Sequence, residues 1–295
     1  MSATPKEDAA TLVETNRRNR AIGAILVDAG RLTEKDVTEI NAFADGSGQL
    51  FGEAAIQLGR ITSADLDFAL ARQFNYPVLA SGPDGVVSEE VVAAYRPQSA
   101  VIEDVRTVRS RLVLDWLARG TRNILAVISP SRREGRSWFA ANLATVFAQA
   151  GERTLLIDAD MRNPQQHRFF KLNNTVGLSA LLTGRAGKDA AMRVHPDLRL
   201  FVVPAGVAPP NPQELLTRPV LEVVLQRFAS QFDVVILDTP AAGDIADAHI
   251  LSSRAGSALL LARRNFTSEV ALQAVATSLA HSSVKVIGSV INNYA

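Results

Sequence analysis

The second half of the chain is built from short apolar runs that alternate with segments of helix length. From residue 121 onward these runs read NILAVIS, RTLLIDAD, LRLFVVPAG, FDVVILDTP, SALLLARR and KVIGSVINN. Near-continuous apolar strands that alternate with helices are typical of a parallel sheet covered by helices on both faces. We therefore predict that residues 121–295 form a doubly wound α/β domain.

Ligands of open α/β sheets bind at the carboxyl ends of the strands, and the loop after the first run has the outline of a phosphate-binding loop. It reads SPSRREGRS over residues 129–137, where Gly135 and Ser137 hold the expected positions but Arg136 replaces the usual Lys. Arg133 stands where related loops have Gly, and a left-handed backbone there would cost about 1–2 kcal/mol without removing an N–H donor. By itself this loop fits a nucleotide site and a basic strand-to-helix turn equally well.

Carboxylates follow later strands at the same predicted edge of the sheet. Asp158 and Asp160 lie at the end of LLIDAD, and Asp238 follows VVIL. Such groups at the ends of buried strands are costly unless their charge is balanced, and Mg²⁺ held by carboxylates, water and phosphate oxygens would balance it. Each Asp could instead cap a following helix. Their joint occurrence with Ser137 favours the metal site.

The first third of the chain contains an internal repeat. Residues 22–37 and 51–66 align at an offset of 29, with shared Gly, Arg and Thr residues. In each copy a Gly can take the left-handed backbone that ends a helix, and a Thr can cap the next helix with a nearby Asp as its capping-box partner. We predict a small helical docking domain of two helix-turn-helix units over residues 19–80, after a disordered tail at residues 1–18. The residues concerned are Gly30 and Gly59, Thr33 and Thr62, and Asp36 and Asp65.

Residues 81–120 are predicted to join the two domains as a Gly-, Ser- and Pro-rich linker followed by an amphipathic helix. Apolar residues recur at helical spacing from Val105 to Trp116, which predicts one buried face. The other face carries Glu103, Arg106 and Arg109.

Composition excludes several classes of site. The 31 Lys and Arg residues against 30 Asp and Glu give a net charge of +1, so no global field favours nucleic acid or an anionic membrane. There is no Cys, and the four His are scattered, which leaves no disulfide frame and no Cys-ligated zinc. The N-terminus lacks an apolar signal-peptide core, and no apolar run approaches the ~20 residues that span a bilayer, so we expect an intracellular protein without a membrane span.

Several stretches together resemble one family. EGRSWFAANLA, RTLLIDADMRNPQQH, GLSALLTG, PAGVAPPNPQELL and FDVVILDTPA are similar to successive motifs of the bacterial tyrosine kinases of polysaccharide export, a branch of the MinD/ParA-type P-loop ATPases. EDVRTVR (103–109) fits that family's ExxRxxR element, and the likeness covers residues 99–293. The N-terminal repeat resembles the N-terminal domain of type II secretion ATPases. The whole chain looks like the EpsG type, the chain-length-determinant tyrosine kinase of exopolysaccharide loci.

The resemblance implies an ATP- and Mg²⁺-dependent protein tyrosine kinase that regulates exopolysaccharide chain length and export. By position, Asp158, Asp160 and Arg136 would be catalytic, with Asp158 either a metal ligand or the group that receives the tyrosine proton. Ser137, Asp158 and Asp238 would hold Mg²⁺, directly or through water. ATP would be bound by the loop and the start of its helix, namely Arg133, Glu134, Gly135, Arg136, Ser137 and Trp138.

The same resemblance implies partners. Glu103, Arg106 and Arg109 would contact a neighbouring subunit in a homo-oligomer, with a solvated helix face as the other interpretation. A membrane-anchored polysaccharide co-polymerase would hold the protein at the cytoplasmic face of the inner membrane. Such kinases commonly end in a tyrosine cluster, and here Tyr294, next to the last residue of the sequence, would be the acceptor.

Three alternatives stay open. The altered loop would also suit a pseudokinase, a nucleotide-binding scaffold of the same assembly without phosphoryl transfer. A partition-like ATPase would need the signature Lys that the loop lacks. Some relatives of the N-terminal domain bind cyclic di-GMP through an Arg before each repeat, but Ala21 and Leu50 occupy those positions. A plain docking module, with Arg31 and Arg60 as solvated surface, is therefore the favoured interpretation of that domain.

Overall fold

The computed structural model describes residues 22–74, 76–79, 85–118, 123–243 and 245–293. Contacts divide the chain into two compact units, Met1–Ser81 and Gly82–Ala295. The predicted tail at residues 1–18, together with Ala21 and Tyr294, lies outside the described residues.

The first unit is a small helical bundle. Its helices are α1 (Ile22–Asp28), α2 (Glu34–Ser47), α3 (Phe51–Gln57) and α4 (Ser63–Gln73). Small and aliphatic residues from all four helices and the turns between them form one core, which includes Leu26, Leu32, Ile40, Ala54, Ile61 and Ala69. The two-copy helical repeat predicted from the sequence is therefore present.

The helix ends of the two repeats follow the predicted chemistry. Gly30 and Gly59 have left-handed backbones, with φ of 67° and 63°. Thr33 and Thr62 each close a capping box with the Asp three residues on, in which the Thr hydroxyl accepts from the Asp N–H and the Asp carboxylate accepts from the Thr N–H. The predicted caps and helix ends are confirmed.

Arg31 and Arg60 connect the repeats to each other. Arg31 Nε lies 3.6 Å from Asp65 Oδ1, and Arg60 Nη1 lies 3.2 Å from Asp36 Oδ1. The Arg of each repeat thus pairs with the capping-box Asp of the other repeat. Their side chains are 35% and 46% exposed, so they lie at the surface as predicted, but the sequence did not reveal their partners.

The second unit is built on a seven-stranded sheet. Its strands are β1 (Ile124–Ile128), β2 (Thr154–Asp158), β3 (Met192–Arg193), β4 (Leu200–Val203), β5 (Val234–Asp238), β6 (Ser257–Arg263) and β7 (Lys285–Asn292). The order is β3-β4-β2-β5-β1-β6-β7, and all neighbours are parallel except β3 with β4. The predicted parallel sheet is confirmed, with β3 as a two-residue antiparallel edge strand that was too short to produce an apolar run.

Helices cover the sheet. The described helices of this unit are α5 (Val92–Tyr95), α6 (Ala100–Leu112), α7 (Arg136–Gln149), α8 (Gln166–Phe169), α9 (Leu178–Leu182), α10 (Pro212–Thr217), α11 (Pro219–Ala229), α12 (Asp247–Ala255) and α13 (Glu269–His281). Every residue of β1, β2 and β5 is buried. Alternate residues of these strands, such as Ile124, Leu155 and Val235, share a core with α11, α12 and α13. Because α7 packs against the same strands with residues outside that core, the central strands are covered on both faces.

The predicted amphipathic helix is α6, which continues through a π-helical turn at Val113–Leu117. It packs against α7 and buries Val105, Leu112 and Trp116. Trp116 Nε1 donates a 3.0 Å hydrogen bond to Ser257 Oγ at the start of β6. The helix is therefore fixed to the α/β unit at its far end by a buried polar contact. Across the described part of the chain, we find no helix with the length and apolar character needed to cross a membrane.

Candidate nucleotide and metal site

The loop between β1 and α7 contains two residues with left-handed backbones. Arg133 has φ of 63°, and Gly135, the N-cap residue of α7, has φ of 89°. Arg133 therefore adopts the conformation for which related loops use Gly, with the strain of about 1–2 kcal/mol expected for a side chain there. Closely spaced turns of this kind can direct backbone N–H groups at an anion.

Glu134 connects this loop to the segments at the carboxyl ends of the neighbouring strands β6 and β7. Its carboxylate is fully buried, accepts a 2.7 Å hydrogen bond from Ser131 N and accepts a further one from the Thr267 hydroxyl. Asn292 Nδ2, at the end of β7, donates a 3.0 Å hydrogen bond to Glu134 O. The loop is thus held by residues that follow β6 and end β7, both far away in the sequence.

Arg136 turns its guanidinium toward the strand ends. The side chain is 8% exposed, Nη1 donates a 2.7 Å hydrogen bond to Ser129 Oγ, and Nε donates to Thr239 O. Nε also lies 3.7 Å from Asp238 Oδ1, and Nη2 lies 3.9 Å from Asp160 Oδ2. The guanidinium is therefore the counter-ion of two buried carboxylates, a requirement for placing such groups in a low-dielectric site.

Asp158 and Asp238 end β2 and β5 in register with each other. Asp158 Oδ2 accepts 2.9 Å hydrogen bonds from the N–H groups of Gln165 and Gln166, so it also caps the start of α8. Burial, together with the negative charge of Asp238, raises the pKa of Asp158 well above its ordinary value despite these bonds. Its ionised form therefore has an increased affinity for a proton, which suits a proton acceptor.

The Asp238 carboxylate is only partly satisfied. Gln166 Nε2 donates a 2.8 Å hydrogen bond to Oδ2, whereas Oδ1 is buried and has no hydrogen-bond partner among the described residues. Burial raises the pKa of Asp238, and Arg136, Gln166 and Ser137 act in the opposite direction. An oxygen of this kind calls for a cation or a water molecule.

Asp160 shapes the segment after β2. Its Oδ1 accepts hydrogen bonds from Arg162 N at 3.2 Å and Asn163 N at 2.9 Å, and its side chain is buried. These are the contacts of a turn-forming Asp rather than of the helix cap that the alternative interpretation predicted, since the next helix begins only at Gln166. Its Oδ2 faces Arg136, so the same side chain belongs to both the turn and the charge cluster.

The donor set fits Mg²⁺ better than a metal held wholly by the protein. The described residues contain no group of three or more Asp, Glu or His side chains that could hold a metal ion together. Mg²⁺ is commonly bound by one or two carboxylates, with water and substrate phosphates completing its shell. Asp238 Oδ1, which accepts no hydrogen bond among the described residues, and the neighbouring Ser137 match that pattern.

Other predicted residues lie away from this cluster. The Trp138 side chain lines a groove between α6 and the end of β7, together with Val105 and Ile291. Glu103 and Arg106 form a 2.8 Å ion pair with each other on α6. Arg109 is half-buried, and its Nε has no hydrogen-bond partner within the described ranges.

The structure also adds residues that sequence reasoning missed. Gln166 is fully buried and bridges the site, since its Nε2 contacts both Asp238 Oδ2 and Ser137 O, the latter at 3.0 Å. Ser129, Thr267 and Asn292 hold Arg136 or the loop. Gln166 belongs to the motif RTLLIDADMRNPQQH, but nothing in that motif indicates that its side chain contacts Asp238.

The chain is similar in sequence to known proteins. Residues 124–288 match the family model of the cellulose biosynthesis protein BcsQ. The chain is 34% identical to the tyrosine-protein kinase YwqD of Bacillus subtilis (strain 168) over 206 residues, which is 70% of this chain and 86% of that protein. It is 29% identical to the tyrosine-protein kinase ptk of Acinetobacter johnsonii over 236 residues, which is 76% of this chain and 32% of that protein. The chain therefore spans most of one relative and about a third of the other.

Solved structures are also similar to this chain. The chimerical protein CapA2B2 superposes with a TM-score of 0.66 at 28% identity, covering 77% of this chain and 99% of that one. The kinase domain of the Escherichia coli tyrosine kinase ETK superposes with a TM-score of 0.65 at 29% identity, covering 69% and 79%. The cell division ATPase MinD of Pyrococcus furiosus shares the fold, with a TM-score of 0.52 at 22% identity over 59% and 73% of the two chains.

The sheet order, the loop after β1 and the strand-end carboxylates define a P-loop ATPase fold of the MinD type. Within this class, the chain belongs to the bacterial tyrosine-protein kinases of polysaccharide export, and its residues 124–288 match the family model of BcsQ. The fold and family predicted from the sequence are confirmed.

Proposed function

We propose that this protein is an ATP- and Mg²⁺-dependent kinase that transfers the γ-phosphoryl group of ATP to a tyrosine hydroxyl. The observation that supports it most is a cluster of three buried carboxylates at the start of α7: Asp160 and Asp238 face Arg136, and Asp158 lies in register with Asp238. A cluster of this charge beside a phosphate-type loop is suited to a reaction that depends on positioning and charge neutralisation.

Each residue has a role that its surroundings support. Ser137 and Asp238 would hold Mg²⁺, with Asp158 in reach as a further ligand, and the ion would neutralise phosphate charge when bound. Alternatively, Asp158 would receive the proton of the acceptor hydroxyl, a role that the effect of burial on its pKa favours. Arg136 would orient Asp160 and Asp238 and contact phosphate. Residues 133–138 would place backbone N–H groups around the phosphates of ATP.

We infer further that the kinase regulates exopolysaccharide chain length and export from the cytoplasmic face of the inner membrane. Its partner would be a membrane-anchored polysaccharide co-polymerase, a proposal supported by the similarity to the CapA2B2 chimera and to the putative tyrosine-protein kinase CapB of Staphylococcus aureus. Glu103, Arg106 and Arg109 would contact a neighbouring copy in a homo-oligomer. Tyr294 would be the acceptor, and the first unit would dock onto the export machinery.

A second candidate rests on the way Arg136 is held. Its guanidinium already bonds to Ser129 and Thr239, so turning it toward a phosphate would break contacts that a Lys would not make. A scaffold that binds nucleotide without phosphoryl transfer, a pseudokinase, would tolerate this arrangement.

One experiment separates the two. The full chain is incubated with Mg-ATP and the cytoplasmic segment of the partner, and phosphotyrosine is mapped by mass spectrometry, with Asp158→Ala as the inactive control. The kinase proposal predicts phosphotyrosine in the wild type and none in the control. The double variant Arg133→Gly/Arg136→Lys restores the residue types of related loops. Phosphotyrosine in that variant alone, with ATP affinity in both, would establish the pseudokinase.

A further inference from the structure

A polar cavity of about 440 Å³ lies next to Arg162, two residues after Asp160 in the sequence. Arg162 forms one side, and the segment PNPQELLT after β4 forms the rest. The lining residues are Arg162, Pro210, Asn211, Pro212, Gln213, Glu214 and Thr217. Arg162 connects this cavity to the site, because its backbone N–H donates to the Asp160 carboxylate, whose other oxygen faces Arg136. None of the roles assigned above uses it.

The Arg162 guanidinium is held in place by the buried carboxylate of Asp247. Its Nε donates a 2.9 Å hydrogen bond to Oδ2 of Asp247, which is 2% exposed, while the Arg162 side chain is 36% exposed. A guanidinium is a planar fork, so a bond at Nε fixes the plane and leaves the two terminal nitrogens as donors. Asp247 therefore holds the Arg162 guanidinium in one orientation before a ligand binds. Binding through the terminal nitrogens would then cost little additional side-chain entropy.

The opposite wall matches a polypeptide better than a free anion. The exposed Pro210 presents its ring, while Pro212 is buried, and Asn211 and Gln213 present amides that can pair with a peptide backbone. The Glu214 carboxylate accepts a 2.5 Å hydrogen bond from Asn211 Nδ2. Its negative charge would repel a free anion bound in the cavity. The wall combines an apolar ring with peptide-type hydrogen-bonding groups, which suits an extended segment with an aromatic residue.

We propose that this cavity binds the tyrosine-bearing segment of the acceptor polypeptide, and that Arg162 donates hydrogen bonds to that segment. The proposal rests on the proposed kinase function and gives its acceptor a binding site. Asp247 is a positioning residue for Arg162. Because the Arg162 backbone bonds to the Asp160 carboxylate, a segment seated in the cavity would approach the cluster from the side of Asp160.

The test measures acceptor binding separately from catalysis. A fluorescein-labelled peptide of residues 288–295, GSVINNYA, is titrated with the full chain in the presence of Mg-ADP, and its anisotropy is followed. We expect Arg162→Ala to weaken peptide affinity about tenfold, the effect of losing a charge-assisted hydrogen bond. Arg162→Lys should weaken it nearly as much, because Lys lacks the fork that Asp247 orients. Arg227→Ala, which removes an exposed Arg from α11, should leave the affinity unchanged.

Turnover gives the second readout. In peptide phosphorylation, Arg162→Ala should raise KM for the peptide and leave KM for ATP within about twofold. Equal peptide affinity in the wild type and Arg162→Ala, or no peptide binding by the wild type, would overturn the proposal. A parallel rise in both KM values would also overturn it. Peptide binding that depends on Arg162 without any phosphotyrosine would instead support the cavity and refute the kinase function.

Discussion

Asp158 and Asp238 face each other in register at the carboxyl ends of β2 and β5, and both are fully buried. Burial raises the pKa of each, and the charge of Asp238 raises that of Asp158 further. Between the ordinary Asp pKa of 3.8 and the raised values, the two carboxyls of the folded protein therefore hold protons that the unfolded chain has released. Stability supplied by these protons is fully present below the ordinary Asp pKa of 3.8 and is lost as the pH rises through the raised values.

We accordingly expect this pair to lower the free energy of unfolding of the ligand-free protein as the pH rises from about 4 to about 8. Urea unfolding over this range checks it, with Asp238→Asn as the matched variant, because one charge of the pair is removed. His167 and His249, whose pKa values burial lowers, act in the opposite sense below about pH 6.5, so the difference between the two proteins is the relevant quantity. Mg²⁺ should flatten the wild-type profile. Parallel profiles for the two proteins would contradict this account.

Arg136 should be a stabilising residue as well as a site residue. Arg136→Ala removes the counter-ion of Asp160 and Asp238 and the donor to Thr239 O, which should lower the free energy of unfolding by about 3 kcal/mol. Arg136→Lys keeps the charge and should lose less. Denaturant unfolding measures both, and Arg227→Ala serves as a surface control expected within about 0.5 kcal/mol of the wild type. An Arg136→Ala protein as stable as this control would show that the carboxylates need no counter-ion.

Much of the site followed from the sequence because its parts are local. An apolar run followed by Asp predicts a carboxylate at a strand end, and parallel strands bring their carboxyl ends to one edge. The amino-acid sequence alone was therefore enough to place Asp158 and Asp238 together. The Thr caps of the first unit were predictable for the same reason, since a capping box spans four residues.

The rest depends on contacts between distant segments. Gln166 reaches Asp238 because of the turn that follows β2, and Thr267 reaches Glu134 from 133 residues away. No periodicity or motif encodes such pairs. The pairing of Arg31 with Asp65 was hidden for a related reason, because it depends on how the two repeats pack rather than on either repeat alone.

Gly135, the one glycine of the loop at residues 129–137, is expected to be sensitive to substitution. Its backbone is left-handed, and a Cβ there would clash with Asn292 Nδ2. Gly135→Ala should lose about 2–4 kcal/mol of stability from strain and overpacking together, and should weaken binding of a fluorescent ATP analogue.

Gly151→Ala is the matched control for Gly135→Ala, because Gly151 has φ of 99° and open space around it. It should lose only the strain of about 1–2 kcal/mol. Adding Asn292→Ala to Gly135→Ala should relieve the clash but not the strain. If the double variant is no more stable than Gly135→Ala, the contact with Asn292 is not the cause.

The repeat of the first unit makes a prediction about its shared glycines. Gly52 lies on α3 where a Cβ would come within 2.6 Å of Leu66 Cδ1, on the helix that follows. Gly52→Ala should therefore destabilise the unit by about 1–2 kcal/mol, since Leu66 must shift within a packed core. Gly46, near the end of α2, has nothing within 4 Å of the same position, so Gly46→Ala should instead stabilise by about 0.5–1 kcal/mol through helix propensity. Thermal unfolding of the two variants, followed by circular dichroism, distinguishes them. Equal shifts of the same sign would mean that the glycine shared by the repeats is not kept for close helix packing.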